Sequence, residues 1–192
     1  MARRKEFITL EDPRALRALA HPARQRLVTE LFSGRVLTAT EAAEIVGLTP
    51  SAVSHHLRAL EKWGLARRAA ATGDARERPW EGTAKRLNLR PSATVGAQAA
   101  MQSVMASIFE DFASDVDAFV SNLDDEPWRN TYQGLSRGEL WLTREEARRL
   151  SKDLEALVAP LDKGRSAIRH PKGARRTVMT WSLVPAEPAP EE

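Results

Sequence analysis

Between residues 38 and 64 the chain carries two helix starts and two helix stops, spaced so closely that a pair of short helices is what fits. Thr38-Ala-Thr-Glu41 has the form of a capping box, in which the threonine hydroxyl bonds the fourth residue's amide while the glutamate reaches back. About two turns of helix follow through Ala42, Ala43 and Val46, and Gly47 stops them. Leu48 reads as a buried connector. Thr49-Pro50 then opens a second helix, an N-cap acceptor followed by proline at the first helical position. Val53, Leu57 and Leu60 fall at i, i+4 and i+7 on it, and Gly64 ends it. Two short helices joined by a tight glycine-containing turn form a helix-turn-helix, whose second helix can enter a DNA major groove.

The flanks extend this pattern. Asp12-Pro13 is a further helix start, with Leu16 and Leu19 at helical spacing, and His21-Pro22 interrupts it. A helix from about Pro22 to Ser33 carries Leu27, Val28, Leu31 and Phe32, and Gly34 closes it. Past Gly64, Leu65 to Ala69 reads as a strand, Thr72-Gly73-Asp74 as a turn and Arg76 to Glu81 as the returning strand. Pro79 confines that strand to an edge. A hairpin directly after a helix-turn-helix is a wing, here with Arg67, Arg68, Arg76 and Arg78 near its tip.

Beyond a small connector at 91–96, a helix is expected from about Ala97 to Leu123. Its apolar stripe is Met101, Val104, Ile108, Phe112, Val116, Phe119, Val120 and Leu123, and its polar face carries Glu110, Asp111, Asp115 and Asp117. Asp124-Asp-Glu-Pro127 breaks it. Glu139 to Leu142 reads as a strand, Thr143-Arg-Glu-Glu146 as a second capping box, and Leu150, Leu154, Leu157 and Leu161 as one helix face. Arg176 to Val184 alternates like a strand, with Met179, Trp181 and Leu183 on one side. The order suggests a small β-α-β unit. The Pro-rich acidic tail 185–192 is expected to be disordered.

Composition narrows the function. With 42% hydrophobic and 29% charged residues in 192, the chain reads as globular: one domain, or a small domain with an appendage. No apolar run approaches the roughly 20 residues of a membrane helix, and no apolar core follows the basic N-terminal residues. Cysteine is absent, which excludes disulfides, thiolate metal sites and cysteine nucleophiles. The net charge of +3 is uneven. Residues 1–90 hold 17 Lys/Arg against 10 Asp/Glu, and residues 91–192 hold 12 against 16. A basic half joined to an acidic one suggests that the first meets a polyanion.

The candidate readout residues lie opposite the apolar stripe of the second short helix. Ser51, Ser54, His55 and Arg58 can address base edges, and Lys62 the backbone. Thr49 stands at the helix N-terminus, whose amides can hold a phosphate. His56 either contacts DNA or packs the motif, and His21 reads as structural. Arg67, Arg68, Arg76 and Arg78 either contact phosphates and the minor groove or decorate a solvated hairpin. No Gly-rich phosphate loop, nucleophile elbow or paired His/carboxylate motif suggests an enzyme.

The segments Leu19-Ala-His-Pro-Ala-Arg-Gln-Arg-Leu27, Thr49-Pro-Ser-Ala-Val-Ser-His-His-Leu57 and Leu60-Glu-Lys-Trp-Gly-Leu65, in this order, resemble the ArsR-type winged-helix transcriptional regulators. The resemblance covers about residues 14–82. It implies a cytoplasmic prokaryotic homodimer that binds promoter DNA. Many members of that family sense metals through Cys near the recognition helix or His and carboxylate clusters on terminal helices. The lack of Cys here, the lack of His on the long helix and the isolation of His170 argue against a metal site, and no cofactor is expected.

The expected architecture is therefore mainly α with small β (α+β). A winged helix-turn-helix DNA-binding domain occupies 1–90, a dimerisation and possible effector region 91–184, and a tail 185–192. The expected partners are double-stranded DNA, a second copy and a small-molecule effector of unknown identity. The dimer would form through Met101, Val104, Ile108, Phe112, Val116 and Phe119. Trp128, Tyr132, Trp141 and Trp181 either line an effector pocket or are buried by packing. The competing reading is a protein-interaction scaffold, a winged helix that no longer binds DNA.

Overall fold

The helix starts anticipated above are formed in three dimensions. A computed structural model of the chain describes residues 4–70, 78–90, 94–121 and 138–184. Asp12 caps α1 (Pro13–Leu19), its carboxylate accepting from the Arg14 amide at 2.8 Å. His21 Nδ1 caps α2 (Pro22–Phe32) by accepting from the Ala23 amide. Thr38 and Glu41 complete the capping box of α3 (Ala39–Val46). Gly47, at φ +67°, takes the left-handed conformation that lets α3 stop and the chain turn. The Thr49 hydroxyl accepts from Ala52 N–H at the start of α4 (Pro50–Lys62).

Two small sheets flank these helices. β2 (Val36–Leu37), β3 (Ala66–Arg68) and β4 (Trp80–Gly82) form one in the order β2-β4-β3, all antiparallel. The returning strand of the wing is thus central rather than an edge. Pro79 lies just before β4, where its carbonyl accepts from Ala69 N–H, and β2 closes the far side of β4. The second sheet was not anticipated. β1 (Lys5–Leu10) pairs in parallel with β5 (Ala84–Leu89), from Lys5 opposite Ala84 to Leu10 opposite Leu89.

One core unites α1 to α4, the small sheets and the start of α5 (Val95–Val120). Leu16, Leu19, Leu27, Leu31, Val53, Leu57, Leu60, Leu65 and Trp80 are all buried in it. Ala100 and Val104 of α5 belong to the same core. Leu48 does not, being 39% exposed, so the connector between α3 and α4 faces solvent.

The chain divides into two compact units. One comprises residues up to Asp111 together with Ser166–Arg169, and the other Phe112–Arg165 with the residues from His170 onward. In the second, the Thr143–Glu146 capping box opens α6 (Arg144–Asp162), as anticipated. The β-α-β unit is not found. Residues 138–143 and 174–184 form no strand, because neither backbone finds a ladder partner among the described residues. Trp141 and Trp181 are 71% and 42% exposed there rather than buried by packing. The anticipated wing tip with Arg76, the Asp124–Pro127 breaker, Leu123, Trp128, Tyr132 and the tail 185–192 lie outside the described residues.

At Gly82 the backbone of β4 approaches α2 closely. A Cβ there would sit 2.7 Å from the Leu31 carbonyl oxygen and 2.9 Å from the Phe32 ring. Backbone cannot yield as a flexible side chain can, so Gly82→Ala should destabilise the fold by about 1–3 kcal/mol. Urea unfolding should show a lower midpoint with an unchanged m-value.

Candidate nucleic-acid interface

Helix α4 owes its orientation to its apolar stripe. Val53, Leu57 and Leu60 are buried, and α2 and α3 pack against the helix. With that face fixed inward, Ser51, His55, Arg58, Glu61 and Lys62 are exposed, and Ser54 is half-buried beside them. Thr49 is exposed as well. Its oxygen caps Ala52, while its own O–H remains able to donate to an acceptor such as a phosphate. The first turn of α4 contains no acidic residue, so its positive dipole end is unneutralised locally. Lys62 Nζ lies 5.6 Å from the centre of the Trp63 ring.

His56 occupies a different position from its neighbours. Its ring sits 4.4 Å from that of His21, tilted by 51°, and its Nδ1 accepts from Arg24 Nε at 3.2 Å. Arg24 Nη1 donates in turn to the Ala18 carbonyl at 2.7 Å. His56 therefore ties α4 to the α1–α2 junction, and His21 serves the same joint as a cap. The role of Arg24 was missed from sequence, although it is the arginine of the quoted Pro22-Ala-Arg24 segment.

The wing arginines separate into three kinds. Arg67 Nε pairs with Glu81 Oε1 at 2.8 Å across the β3–β4 ladder, so its charge is already engaged. Arg68 stacks its guanidinium 3.8 Å above the Trp80 ring centre and donates to the Arg78 carbonyl. Arg78 is exposed. Among the described residues, no cluster of three or more His, Asp or Glu side chains is arranged to hold a metal ion.

The long helix α5 divides its stripe. Ala97, Ala100, Val104 and Ser107 are buried, Ala100 and Val104 as part of the winged-helix core, and Ile108 packs partly against that core. Val104 therefore serves this domain's own interior and is withdrawn from the expected dimer surface. Met101, Phe112, Val116 and Phe119 are half-buried. Around the N-terminus of α6 lies an open cleft of about 510 Å³, with Leu142, Arg148 and Leu183 in its lining. Trp141 and Trp181 are not part of that lining. No described helix is long and apolar enough to cross a membrane.

Comparison with known proteins agrees with this geometry. A family model described as a helix-turn-helix domain matches residues 19–69. The transcriptional repressor PagR of Bacillus anthracis is 40% identical over 53 residues, which cover 27% of this chain and 54% of PagR. The HTH-type transcriptional regulator NmtR of Mycobacterium tuberculosis is 48% identical over 50 residues, covering 26% of this chain and 41% of NmtR. The chain thus spans about half the length of the curated relatives it matches. An apo structure of a ZitR mutant from Lactococcus lactis aligns at 20% identity over 74% of this chain and 84% of its own, with a TM-score of 0.34. Residues 19–69, with the adjoining hairpin strands, form a winged helix-turn-helix domain. Its type is that of the ArsR regulators.

Burial, aided by the charges of His21, Arg24 and His55, holds His56 below the ordinary imidazole range. The unfolded chain then binds more protons than the folded one in this interval, so stability rises with pH across it. The contribution is fully present above the unfolded value of about 6.5 and is lost as the pH falls below it. The urea midpoint should decline on acidification from pH 7 to 5.5. In His56→Asn, which can still accept from Arg24, the decline should be shallower; an equal slope would remove His56 as its source.

Proposed function

We propose that this protein is a sequence-specific DNA-binding transcriptional regulator that works as a homodimer, with α4 in the major groove and the wing on the flanking backbone or minor groove. The observation that carries the reading is the two-sidedness of α4. Its stripe of Val53, Leu57 and Leu60 is sealed in the core, while Ser51, His55 and Arg58 are presented outward by a segment that matches transcriptional regulators. Arg58 is suited to grip guanine O6 and N7, and Ser51, Ser54 and His55 to complete base readout. Thr49, Lys62, Arg78 and Arg76 would hold phosphates and set register. In this reading residues 1–90 bind DNA, and residues 91–184 carry dimerisation and any response to an effector. The protein acts by binding rather than catalysis, in the cytoplasm, where a prokaryotic promoter is found.

Two-fold operators call for two recognition helices about 34–36 Å apart, held at fixed separation. The face of α5 around Met101, Phe112, Val116 and Phe119 is the proposed spine. Ile108 stands at its edge, where the winged-helix core begins.

Arg58→Ala should weaken binding to a specific duplex from the chain's own upstream region by about 1–3 kcal/mol, with little effect on a scrambled duplex. Gel retardation at fixed salt measures both, and equal affinity of variant and wild type for the specific duplex would remove Arg58 from base readout. The double variant Phe112→Glu, Phe119→Glu should sediment as a monomer and lose specific binding, because it would place unpaired charges in the interface. A folded dimer in analytical ultracentrifugation would locate the interface elsewhere.

A further inference from the structure

Helix α4 is held from a second side besides its apolar stripe. His56 is half-buried on the flank between Leu60 in the core and His55 in solvent. Its Nδ1 accepts from Arg24 Nε at 3.2 Å, while Arg24 Nη1 donates to the Ala18 carbonyl at 2.7 Å. One guanidinium thus spans from the end of α1 to the middle of α4. The His21 ring lies 4.4 Å from that of His56, and its own Nδ1 is taken by the Ala23 amide.

This joint requires a neutral imidazole. A ring nitrogen that accepts from Arg24 carries no proton, so the proton of neutral His56 is on Nε2. Protonating Nδ1 would remove the acceptor and set two cations against each other. Burial opposes a positive charge on His56, and so do His21 at the α1–α2 junction, Arg24 of α2 and His55 of α4 itself. No carboxylate is among the groups that act on His56. Arg24 has no ion-pair partner among the described residues, and both its acceptors are neutral. Arg26 of α2 and Asp111 of α5 share a cleft with His21 and are not among the groups that act on His56.

The readout side chains depend on this joint. His55 precedes His56, and Arg58 follows it by two residues on the exposed face. Hydrogen bonds weaken steeply away from their ideal distance and angle, so base readout depends on how firmly α4 is held. Attraction between cations and phosphates falls off gradually with distance and survives a small displacement.

We propose that Arg24 is a positioning residue for base readout, acting through His56, and that this hold opens when His56 Nδ1 takes a proton. The proposal rests on the DNA-binding reading above. In acid, α4 keeps its buried stripe and its charges, so it still meets DNA but discriminates less between sequences. Added positive charge strengthens binding to every duplex, and the ratio of affinities for two duplexes removes that effect.

The test uses the full chain and fluorescence anisotropy at constant ionic strength from pH 7.5 to 5, with a duplex from its upstream region and a scrambled duplex. The affinity ratio should fall about tenfold, as expected for loss of one hydrogen bond to a charged group. Its midpoint should coincide with the titration of the His56 ring followed by NMR. In His56→Asn, whose amide oxygen can stand in for Nδ1, the ratio should stay at the wild-type pH 7.5 value throughout. In Arg24→Gln it should start low and stay flat. A wild-type ratio independent of pH, in a chain with native circular dichroism at pH 5, would overturn the proposal. So would a His56→Asn chain that follows the wild-type profile. A second arm uses the free chain: amide protection at residues 54–58, relative to α2, should drop at the His56 midpoint, and unchanged protection would overturn the hold. If the wild-type chain at pH 7.5 does not separate the two duplexes, the DNA-binding reading fails and the role in readout with it. Loss of protection in the free chain would still show the proton-sensitive joint.

Discussion

The burial of Val53, Leu57 and Leu60 fixes α4 in rotation, and what its other face can do follows from that. Returning any one of these side chains to water would forfeit about 1.5–3 kcal/mol, a large part of the stability of a domain this size. The helix therefore cannot turn its polar residues inward. The Arg24–His56 hydrogen bond and the His21–His56 contact add a second constraint, fastening the outer part of α4 to the start of α2. A surface that must match base edges needs this rigidity, since a polar contact misplaced by an ångström loses much of its strength.

The same economy explains the wing. Arg67 is held by Glu81 and Arg68 by the Trp80 ring, so two cations of the hairpin stiffen it rather than extending freely from it. Charge in the winged-helix half is partly structural, and the count of 17 Lys/Arg in residues 1–90 overstates what is available to a polyanion. Conversely, the acidic half contains a basic segment, residues 163–176 with six Lys/Arg and no Asp/Glu, which its average hides. Net charge per half describes the partner correctly only after the ion pairs are known.

Helix starts and stops were legible because capping is local chemistry. Thr38–Glu41, Thr49-Pro50 and Thr143–Glu146 each announce a helix within four residues, and all three caps are present. The inward stripe of α4 was legible for the same reason. The β1–β5 pair was not: its partners lie 79 residues apart, from Lys5 to Ala84, and nothing in Lys5-Glu-Phe-Ile-Thr-Leu10 names its neighbour. β2, at two residues, is too short to show a period, and without it β4 looked like an edge. The alternation in 139–142 and 176–184 suggested strands, but alternation marks an amphipathic ribbon and does not supply the second backbone a ladder requires. Val104 failed as an interface residue because a stripe on one helix can serve two surfaces along its length, and periodicity does not say where one gives way to the other.

The central claim is that α4 and the wing strands are the surface that meets DNA. Backbone hydrogen exchange of the full chain, with and without a saturating duplex from its upstream region, tests it most directly. The account predicts added protection at residues 49–63 and in β3 and β4, strongest at the first amides of α4, which lack helix partners of their own. Binding that leaves α4 and the wing unchanged and protects only residues 138–162 would contradict it.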